Sequence, residues 1–427
     1  MQSDAPIGAI APIAPTPHQL AWQRSNTGAF FHFGINTFHG QEWSDGALPA
    51  SSFDPTDLDT EQWVETARAA GARYAIITAK HHDGFCLWPT KTTDYSVASS
   101  PWKGGKGDVV GELAAACRAA GIGFGVYLSP WDRHAPEYAD PAAYTELYTE
   151  QIRELCTWYG PLTELWFDGA GSDGYEYDWT AIMAVARKYQ PDAMVFNMGD
   201  PTIRWVGNED GLAADPVEYV VDHTQMSNYT VVTAEFAEAL YLPPECDVSI
   251  RRGWFWHPDD EPKSLEHLLA IHYRSVGLGA NLLLNLPPDT RGRIPDADAA
   301  RVAEFGAEVT RRFGTPAATA ELTDGDTWTA SFGGPVTFDH IRLREDLTEG
   351  QRVVRHVVRA GDRVLAEGLT VGAGRIHLTE PVTAAELTVE VVGDGAVLES
   401  VEVFETGVRE LSQVPEGYRA PTDRPDE

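Results

Sequence analysis

The feature that most constrains the fold of this chain is an alternation of apolar runs with helical patterns throughout its first half. The run RYAIITA at residues 73–79 is almost continuously apolar, which is typical of a strand buried on both faces. A helical pattern over residues 59–70 precedes it, and a second helix, which Asp108 can cap, follows after a long loop. Buried strands separated by helices indicate βαβ units, and hence a parallel sheet.

The alternation continues beyond these elements. Runs with strand character lie at residues 29–36, 73–79, 122–128, 163–168, 193–197, 248–255 and 280–286, and helical patterns lie at 59–70, 109–120, 142–159, 179–189, 264–276 and 296–313. Four clear units in the first half favour a (β/α)8 barrel over an open Rossmann sheet, because no GxGxxG stands at a strand–helix junction and no Walker motif occurs. Between residues 197 and 247 the pattern assigns no elements.

The pattern of apolar and polar residues changes near residue 315. Segments at residues 336–343, 352–360, 363–366 and 386–392 alternate apolar and polar residues, and Gly-rich turns separate them. This pattern predicts a small antiparallel β-sandwich. The predicted organisation is therefore a barrel over residues 1–314, a β-sandwich over 315–407 and a loosely held tail over 408–427, which is rich in Pro, Glu and Arg.

Net charge argues against several classes of partner. The chain has 64 acidic and 32 basic residues, which gives a formal net charge of −32. Nucleic acids and anionic membrane surfaces are bound by basic patches, so this composition argues against both, and against a large anionic substrate as well. A neutral sugar is indifferent to the charge.

The sequence predicts a cytoplasmic location by default. The four cysteines are widely scattered without a CxxC pair, which predicts free thiols rather than disulfides or a zinc site. The N-terminal stretch MQSDAPIGAIAPIAPTP lacks a basic region and is broken by prolines, unlike a signal peptide. No apolar run approaches the roughly 18 residues of a membrane span. A secreted protein trimmed of its signal would have the same sequence.

The stretch TELWFDG at residues 163–169 is the strongest candidate for a functional site. Its apolar residues predict a short buried strand that presents Asp168 at its C-terminal tip. In α/β barrels the carboxyl ends of the strands are where catalytic side chains collect. The alternative is that Asp168 only starts a turn or caps the next helix.

The ends of the other predicted strands share a chemical character. Histidines, acidic residues and aromatic residues recur there, at His32, Glu42, Trp43, His81, His82, Tyr127, Arg204, Glu209, Trp254 and Trp256. Aromatic rings stack on the C–H faces of sugars, whereas His, Glu and Arg hydrogen-bond hydroxyl groups. Taken singly, a histidine such as His32 is more often a core residue, and so is a pair such as Trp254 and Trp256. Together, these residues predict a sugar-binding rim.

A metal site is not predicted. His81 and His82 are neighbours on a strand end, where successive side chains point to opposite faces, so they would not readily share one ion. The HEXXH and HxH spacings of metal hydrolases are also absent.

Seven segments, in this order, resemble the α-L-fucosidases of glycoside hydrolase family 29: FFHFGIN, EWSDG, KHHDGFCLW, GDVVGEL, FGVYLSPWD, LWFDG and RWVGNEDG. The likeness covers residues 30–287. It implies a distorted (β/α)8 barrel followed by a C-terminal β-sandwich, and an enzyme that removes terminal α-L-fucose from oligosaccharides with retention of configuration and without a metal or other cofactor.

The resemblance also implies roles for individual residues. Asp168 matches the family's nucleophile, and Glu209 matches the acid/base of the branch that acts on α-1,3/1,4-linked fucose in Lewis-type structures. His32, Glu42, Trp43, His81, His82 and Tyr127 match positions around the fucose, and Arg204, Trp254 and Trp256 lie in loops that vary. Glu245 is an alternative acid/base if Glu209 points away from the site.

Three other functions remain open at this point. The runner-up is a broad-specificity fucosidase with the same mechanism. A fucose-binding protein without turnover would keep the pocket but lose catalysis, and the presence of both Asp168 and Glu209 argues against it. A metal-dependent hydrolase is the third alternative.

Overall fold

A computed structural model describes residues 13–225, 233–325 and 327–418 of the chain. The helices are α1 Pro17–Gln23, α2 Ile35–His39, α3 Thr60–Ala69, α4 Val109–Ala120, α5 Pro141–Trp158, α6 Trp179–Tyr189, α7 Leu265–Arg274 and α8 Asp296–Phe313. The strands are β1 Thr27–Phe31, β2 Tyr74–Lys80, β3 Gly123–Leu128, β4 Glu164–Trp166, β5 Met194–Phe196, β6 Arg204–Trp205, β7 Val220–Gln225, β8 Thr233–Tyr241, β9 Pro244–Ser249, β10 Asn281–Asn285, β11 Ala318–Thr319, β12 Glu321–Thr323, β13 Trp328–Glu345, β14 Arg355–Ala360, β15 Arg363–Gly368, β16 Arg375–Val392 and β17 Leu398–Phe404.

The first part of the chain forms a nearly closed barrel. Eight strands are hydrogen-bonded in the order β5-β4-β3-β2-β1-β10-β9-β6, and each neighbouring pair is parallel. A parallel bridge between Phe196 and Ile203 brings the two outer strands of this order together. All eight carboxyl ends therefore lie on one rim, as the predicted distorted (β/α)8 barrel requires.

The barrel helices begin where short polar side chains cap them. The Asp108 carboxylate accepts a hydrogen bond from the Gly111 backbone N–H at 2.8 Å at the start of α4, and this helix ends at Gly121, which has a φ of 68°. That left-handed conformation costs glycine little, because glycine has no Cβ. The cap predicted at Asp108 is confirmed, and the capped helix turns its apolar face to the sheet.

Two layers of apolar side chains hold the barrel together. One lies between the sheet and the helices and includes Trp63, Val110 and Leu165. The other fills the barrel interior and is rich in aromatic rings: Trp22, Phe30, Tyr74, Tyr127, Trp166, Phe196 and Trp205. The interior layer forms the floor beneath the rim.

Most predicted barrel elements are confirmed to within a few residues, but two strands were predicted to extend too far. The first was expected over residues 29–36, whereas β1 ends at Phe31 and the helix α2 begins at Ile35. Residues 248–255 were expected to form a strand, whereas β9 spans Pro244–Ser249. The chain turns after Ser249 because the Arg252 and Gly253 backbone N–H groups donate to the Asp260 carboxylate. The region from 198 to 246, which the sequence left unassigned, contains β6 and the antiparallel hairpin of β7 and β8, whose connecting residues 226–232 lie outside the described ranges.

The C-terminal part is antiparallel β structure, as predicted. Its strands form one seven-stranded sheet, in the order β11-β17-β13-β16-β14-β15 with β12 beside β13. The two 18-residue strands, β13 and β16, pair with register shifts, which allow a sheet to bend. One buried core, which includes Phe338, Ile341, Leu387 and Val401, draws on strands across the sheet.

Polar contacts join this sheet to the barrel. The Arg375 guanidinium binds the Asp215 carboxylate with two hydrogen bonds, of 2.9 and 2.7 Å. The Tyr273 hydroxyl of α7 lies 2.9 Å from His340 Nε2 of β13. Because these groups pair across the junction, the two parts of the chain hold each other in place.

The last residue of β2, Lys80, forms a buried ion pair with Asp132. Lys80 Nζ donates to Asp132 Oδ2 at 2.8 Å, and both side chains are almost fully buried. We expect Lys80→Ala to lower the free energy of unfolding by about 3–5 kcal/mol, because it leaves the Asp132 carboxylate buried without its cation. Urea unfolding measures the loss. The control is Lys103→Ala at the more exposed pair with Glu112, where a change within about 0.5 kcal/mol is expected; equal losses in the two variants would contradict the prediction.

None of the helices among the described residues is long and apolar enough to cross a membrane. The four cysteines are buried and free, as predicted.

Candidate active site

A pocket of about 620 Å³, counted with its open mouth, lies at the carboxyl rim of the barrel. Sixteen residues line it: Phe30, His32, Trp43, His81, His82, Tyr127, Trp166, Asp168, Gly169, Ala170, Phe196, Asn197, Trp205, Glu209, Asp247 and Trp254. They come from the ends of seven barrel strands and from the loops that follow them. The pocket therefore brings together most of the residues that the sequence placed at strand ends.

Asp168 lies just beyond β4, and donors from three directions surround its carboxylate. The Tyr127 hydroxyl donates to Asp168 Oδ2 at 2.9 Å, and His82 Nε2 lies 3.5 Å from the same oxygen. The Ala170 backbone N–H donates to Asp168 Oδ1 at 2.8 Å. Because Tyr127 and His82 belong to neighbouring strand ends, the sheet itself fixes the position of the carboxylate.

The Asp168 carboxyl is held in its ionised form. Burial opposes ionisation, but the contact with His82, together with the hydrogen bonds from Ala170 and Tyr127, lowers the pKa of Asp168 below its usual value. The Asp168 side chain remains 25% exposed. Asp168 is therefore a charged carboxylate that a ligand in the pocket can reach.

His82 is held on its far side by Ser129, whose Oγ lies 2.7 Å from His82 Nδ1. Ser129 also donates a hydrogen bond to the Trp131 carbonyl oxygen at 2.6 Å. The ring of His82 is almost completely buried, at 1% exposure. Its position between Ser129 and Asp168 therefore leaves the ring no freedom to turn.

The other two histidines of the pocket are neutral. Burial is the main reason that the pKa of His32 falls to about 3, although a hydrogen bond with Asn285 acts in the opposite direction. Burial also lowers the pKa of His81 well below its usual value. Neutral imidazoles donate from one nitrogen and accept at the other, so His32 and His81 suit sugar hydroxyl groups.

Aromatic rings form the walls and the floor. Trp43 lies edge-on to His82 with ring centroids 5.1 Å apart, and Trp254 packs against His32 at 4.9 Å. Below them, Trp166 and Phe196 are stacked at 3.9 Å. These apolar surfaces can receive the C–H faces and the methyl group of a deoxy sugar.

Glu209 brings another carboxyl group to the pocket from the loop after β6. Trp205 holds the start of this loop, because its indole Nε1–H donates to Asp247 Oδ1 at 2.7 Å and its backbone N–H donates to Asn197 Oδ1 at 3.1 Å. Asp168 and Glu209 therefore reach one pocket from separate strands.

Glu42 does not line the pocket; it supports the loop that does. Its carboxylate accepts hydrogen bonds from the backbone N–H groups of Trp254, at 2.9 Å, and Phe255, at 3.3 Å. A Cβ at Gly253 would lie 2.2 Å from Glu42 Oε1, so only glycine allows this approach. Burial raises the pKa of Glu42 to about 7, while the two backbone donors act against the rise.

We expect Glu42→Ala to raise KM for an aryl fucoside about tenfold and to change kcat less. The variant frees the Trp254 loop, and an apolar wall that is no longer held in place loses about 1.4 kcal/mol of binding. Steady-state kinetics measure the effect. Glu65→Ala, on the exposed face of α3, is the control. An unchanged KM with a large loss of kcat would instead assign Glu42 to the chemical step.

Two further predicted residues, Arg204 and Trp256, also lie outside the pocket lining. Arg204 is turned away from the pocket, and its guanidinium donates to the Trp205 and Glu218 backbone carbonyls; neighbours on a strand face opposite ways, and Trp205 occupies the pocket side. Trp256 is half-buried and is not among the lining residues. Direct sugar contacts by Arg204 and Trp256 are therefore not supported.

The alternative acid/base, Glu245, is wrong. It is fully buried inside the barrel, where it accepts hydrogen bonds from the Tyr74 hydroxyl and, at 3.1 Å, from Trp166 Nε1. Trp166 lines the pocket and Glu245 does not. Burial raises the pKa of Glu245 to about 7, which suits a protonated group in the core.

Sequence reasoning missed Asn197, Trp205 and Asp247, all of which line the pocket. Burial, and then electrostatic repulsion from the neighbouring acids Glu209 and Glu245, raise the pKa of Asp247 well above its usual value. The signal for Asp247 was its place near the end of a strand, but that strand was expected to begin one residue later. Asn197 has a φ of 61°, a conformation that asparagine tolerates at a strand end.

Among the described residues, no three His, Cys, Asp or Glu side chains have the arrangement of a metal site. The pocket itself contains three acidic side chains, Asp168, Glu209 and Asp247. A pocket that holds an ionised carboxylate and further acids, with walls that can bind hydroxyl groups and stack on a sugar ring, has the residue types that cleave a glycosidic bond. Fold and site together define a glycoside hydrolase.

The family is shown by comparison with known proteins. A family model for alpha-L-fucosidase matches residues 41–311, and the chain belongs to this family. It is 45% identical over 305 residues to alpha-L-fucosidase 1 of Arabidopsis thaliana, a match that covers 69% of this chain and 60% of that protein. A related protein of Oryza sativa subsp. japonica is 39% identical over 424 residues, covering 88% of this chain and 81% of that one.

Solved structures support the same assignment. A glycoside hydrolase 29 family member from an unknown rumen bacterium superposes with a TM-score of 0.84 at 36% identity, covering 95% of this chain and 79% of that chain. A Ruminococcus gnavus fucosidase of the same family, solved in complex with fucose, has a TM-score of 0.80 at 30% identity and covers 93% of this chain and 97% of its own.

Proposed function

We propose that this α-L-fucosidase is a retaining enzyme in which Asp168 is the nucleophile and Glu209 the acid/base, and that it prefers α-1,3/1,4-linked fucose in branched, Lewis-type oligosaccharides. The observation that carries the proposal is the Asp168 carboxylate, which is ionised, reachable from the pocket and held by Tyr127, His82 and Ala170. A nucleophile needs all three properties.

The first half of the reaction forms a covalent intermediate. Asp168 attacks the anomeric carbon of fucose with a carboxylate electron pair while the glycosidic C–O bond breaks. Glu209 gives its proton to the departing oxygen, so the leaving group departs as a neutral sugar hydroxyl. Glu209 ends this step as a carboxylate, and Asp168 is bound to fucose as an ester.

The second half returns the enzyme to its starting state. Glu209, now a base, takes a proton from water, and the resulting hydroxide oxygen bonds to the anomeric carbon. The ester C–O bond breaks, and its electron pair returns to Asp168. Two inversions give net retention, and no group outside the chain and water is needed to balance the steps.

The walls of the pocket support fucose as the sugar. C6 of fucose is a methyl group, whereas C6 of galactose, a sugar of the opposite enantiomeric series, is a hydroxymethyl group. An aromatic wall can accept the methyl group of fucose. This difference alone contributes about 1–3 kcal/mol to the discrimination between the two sugars. The neutral imidazoles of His32 and His81 therefore supply further selectivity by binding ring hydroxyl groups.

The linkage preference rests on the Glu209 loop. The sequence RWVGNE at residues 204–209 resembles the branch that acts on Lewis-type structures. Trp205 of this segment lines the pocket and donates to Asp247 Oδ1, and this fixed start of the Glu209 loop supports the proposal.

Fucose release from three substrates tests the proposal: a Lewis-type trisaccharide, an α-1,2-fucosylated lactose and an aryl fucoside. Proton NMR during early turnover identifies the first anomer released. We expect release from the Lewis sugar, little from the α-1,2 linkage, and α-fucose as the first product. Comparable release from all three would remove the linkage preference, and β-fucose as the first product would remove the retaining mechanism. Bound fucose without any release would identify a binding protein.

A further inference from the structure

Ser129 lies behind the pocket, where no substrate reaches it. The residue is completely buried and is not among the lining residues. Its Oγ makes two short contacts, one with His82 Nδ1 at 2.7 Å and one with the Trp131 carbonyl oxygen at 2.6 Å. In these contacts Ser129 touches neither the substrate nor Asp168, so its effect on the reaction passes through a neighbouring residue. Ser129 acts on both His82 and Tyr127, and its close side-chain contact is the one with His82, at 2.7 Å.

The two contacts determine where the proton on His82 lies. A carbonyl oxygen only accepts hydrogen bonds, so Ser129 uses its single hydroxyl proton for Trp131. In the contact with His82, Ser129 Oγ is then the acceptor, and His82 Nδ1 has to carry the proton. The hydrogen-bond pattern therefore excludes the tautomer that is protonated on Nε2 alone.

This tautomer has a consequence on the other side of the ring. His82 Nε2 lies 3.5 Å from Asp168 Oδ2. Without a proton, Nε2 would present a lone pair to a carboxylate, and the two would repel each other. With a proton on Nε2 as well, the ring is an imidazolium and attracts the carboxylate.

We propose that Ser129 is a positioning residue for the nucleophile, because it fixes a proton on Nδ1 of His82 and so causes His82 to meet Asp168 as an imidazolium. The inference rests on the proposed role of Asp168. Ser129 would then influence the reaction although it lies outside the pocket lining.

The groups around His82 agree with this assignment. His81 lies with its ring 4.2 Å from that of His82 and is neutral, as is His32. Tyr127 stays protonated, because burial first and then the charge of Asp168 raise its pKa well above the usual value. Asp83 is the other acidic group acting on His82, and burial raises its pKa to about 6. Of these groups, Asp168 is the one whose carboxylate lies within ion-pair distance of the His82 ring.

The charge on His82 affects the two halves of the reaction differently. In the first half, Asp168 loses its negative charge as it bonds to the anomeric carbon, so the imidazolium loses its partner. In the second half, the ester bond breaks and the electron pair returns to Asp168, where the imidazolium stabilises it. His82 therefore makes Asp168 a better leaving group, and its protons stay on the ring throughout.

The experiment is a pH profile of kcat/KM for Ser129→Ala, which removes the acceptor of the Nδ1 proton. Asp168 must be ionised to react, so the acid limb reports its ionisation. We expect the midpoint of this limb to move to a higher pH by about 0.5–1 unit. An imidazolium that has lost its hydrogen bond to Ser129 stabilises the Asp168 carboxylate less. Ser129→Thr keeps the hydroxyl and should restore the limb. Ser275→Ala, at a buried serine that donates to the Ile271 carbonyl, is the matched control and should leave it in place.

A double variant separates positioning from general damage. His82→Gln keeps an N–H donor toward Asp168 but has no charge, so its acid limb should also move upward. If Ser129 acts through His82, then Ser129→Ala adds nothing to His82→Gln; additive shifts would overturn the inference.

The nitrogen-15 spectrum of histidine-labelled enzyme gives an independent answer without turnover, and His82→Gln assigns the signal. We expect both ring nitrogens of His82 to be protonated, and a neutral ring, with its proton on either Nδ1 or Nε2 alone, would overturn the inference even if the Ser129 variants fail to fold. An Asp168→Ala variant with undiminished activity would instead overturn the proposed function, whatever the spectrum shows.

Discussion

The Asp168→Ala variant is expected to lose roughly 10⁴-fold or more in kcat on every fucoside, whatever the leaving group. Alanine removes the carboxylate that we propose as the nucleophile, and its position between Tyr127, His82 and Ala170 is left without a carboxyl group. Fucose binding should survive, because the aromatic walls and the neutral histidines remain. Initial rates together with calorimetric titration of fucose measure both properties.

The control for this variant is Asp173→Ala, an exposed aspartate in the same loop, which should keep the wild-type rate. Added azide is a second check. A small anion can occupy the space that the carboxylate leaves, attack the anomeric carbon once and yield β-fucosyl azide. A residual rate within tenfold of the wild type would show that another group attacks the sugar.

The Glu209→Ala variant is expected to separate substrates by their leaving groups. With a Lewis-type trisaccharide, kcat/KM should fall about 10²–10⁴-fold, because the departing sugar oxygen needs a proton. With an aryl fucoside whose phenol is acidic, the fall should be much smaller, because a phenolate departs unaided. Parallel kinetics on the two substrates measure the ratio.

Glu218→Ala is the matched control, since Glu218 is exposed and follows Glu209 in the same region of the chain. It should change neither substrate's kinetics. Equal losses on both substrates for Glu209→Ala would mean that Glu209 supports the pocket rather than donating a proton, and Asp247, the other acid of the pocket wall, would then be the next residue to test.

The barrel could be predicted from the sequence because its strands are buried on both faces. Runs such as residues 73–79 are apolar throughout, and the helices between them have clear caps at Asp108 and Ser264. Prediction failed where elements are short or begin with proline. The strand β6 has two residues, too few for any periodicity, and β9 begins with a proline, Pro244, in the region where the pattern assigned no elements.

The site residues could be predicted where a polar side chain stands at or directly after the end of a strand. Asp168, His81, His82 and Tyr127 stand at or next to strand ends, and the barrel brings them together. Arg204 was misplaced because the two-residue strand allowed no decision about which neighbour faces inward. Ser129 could not be predicted, because its importance depends on a contact with His82 that only the folded chain creates.

The two reactive carboxyl groups are attached to the fold in different ways. Asp168 follows a strand that is hydrogen-bonded on both sides, whereas Glu209 stands on a loop beyond the shortest strand of the barrel. The proposed nucleophile and the proposed acid/base therefore lie in separate stretches of the chain. Substitutions around Glu209, within residues 206–211, can therefore change which leaving groups are accepted without altering the strand that precedes Asp168.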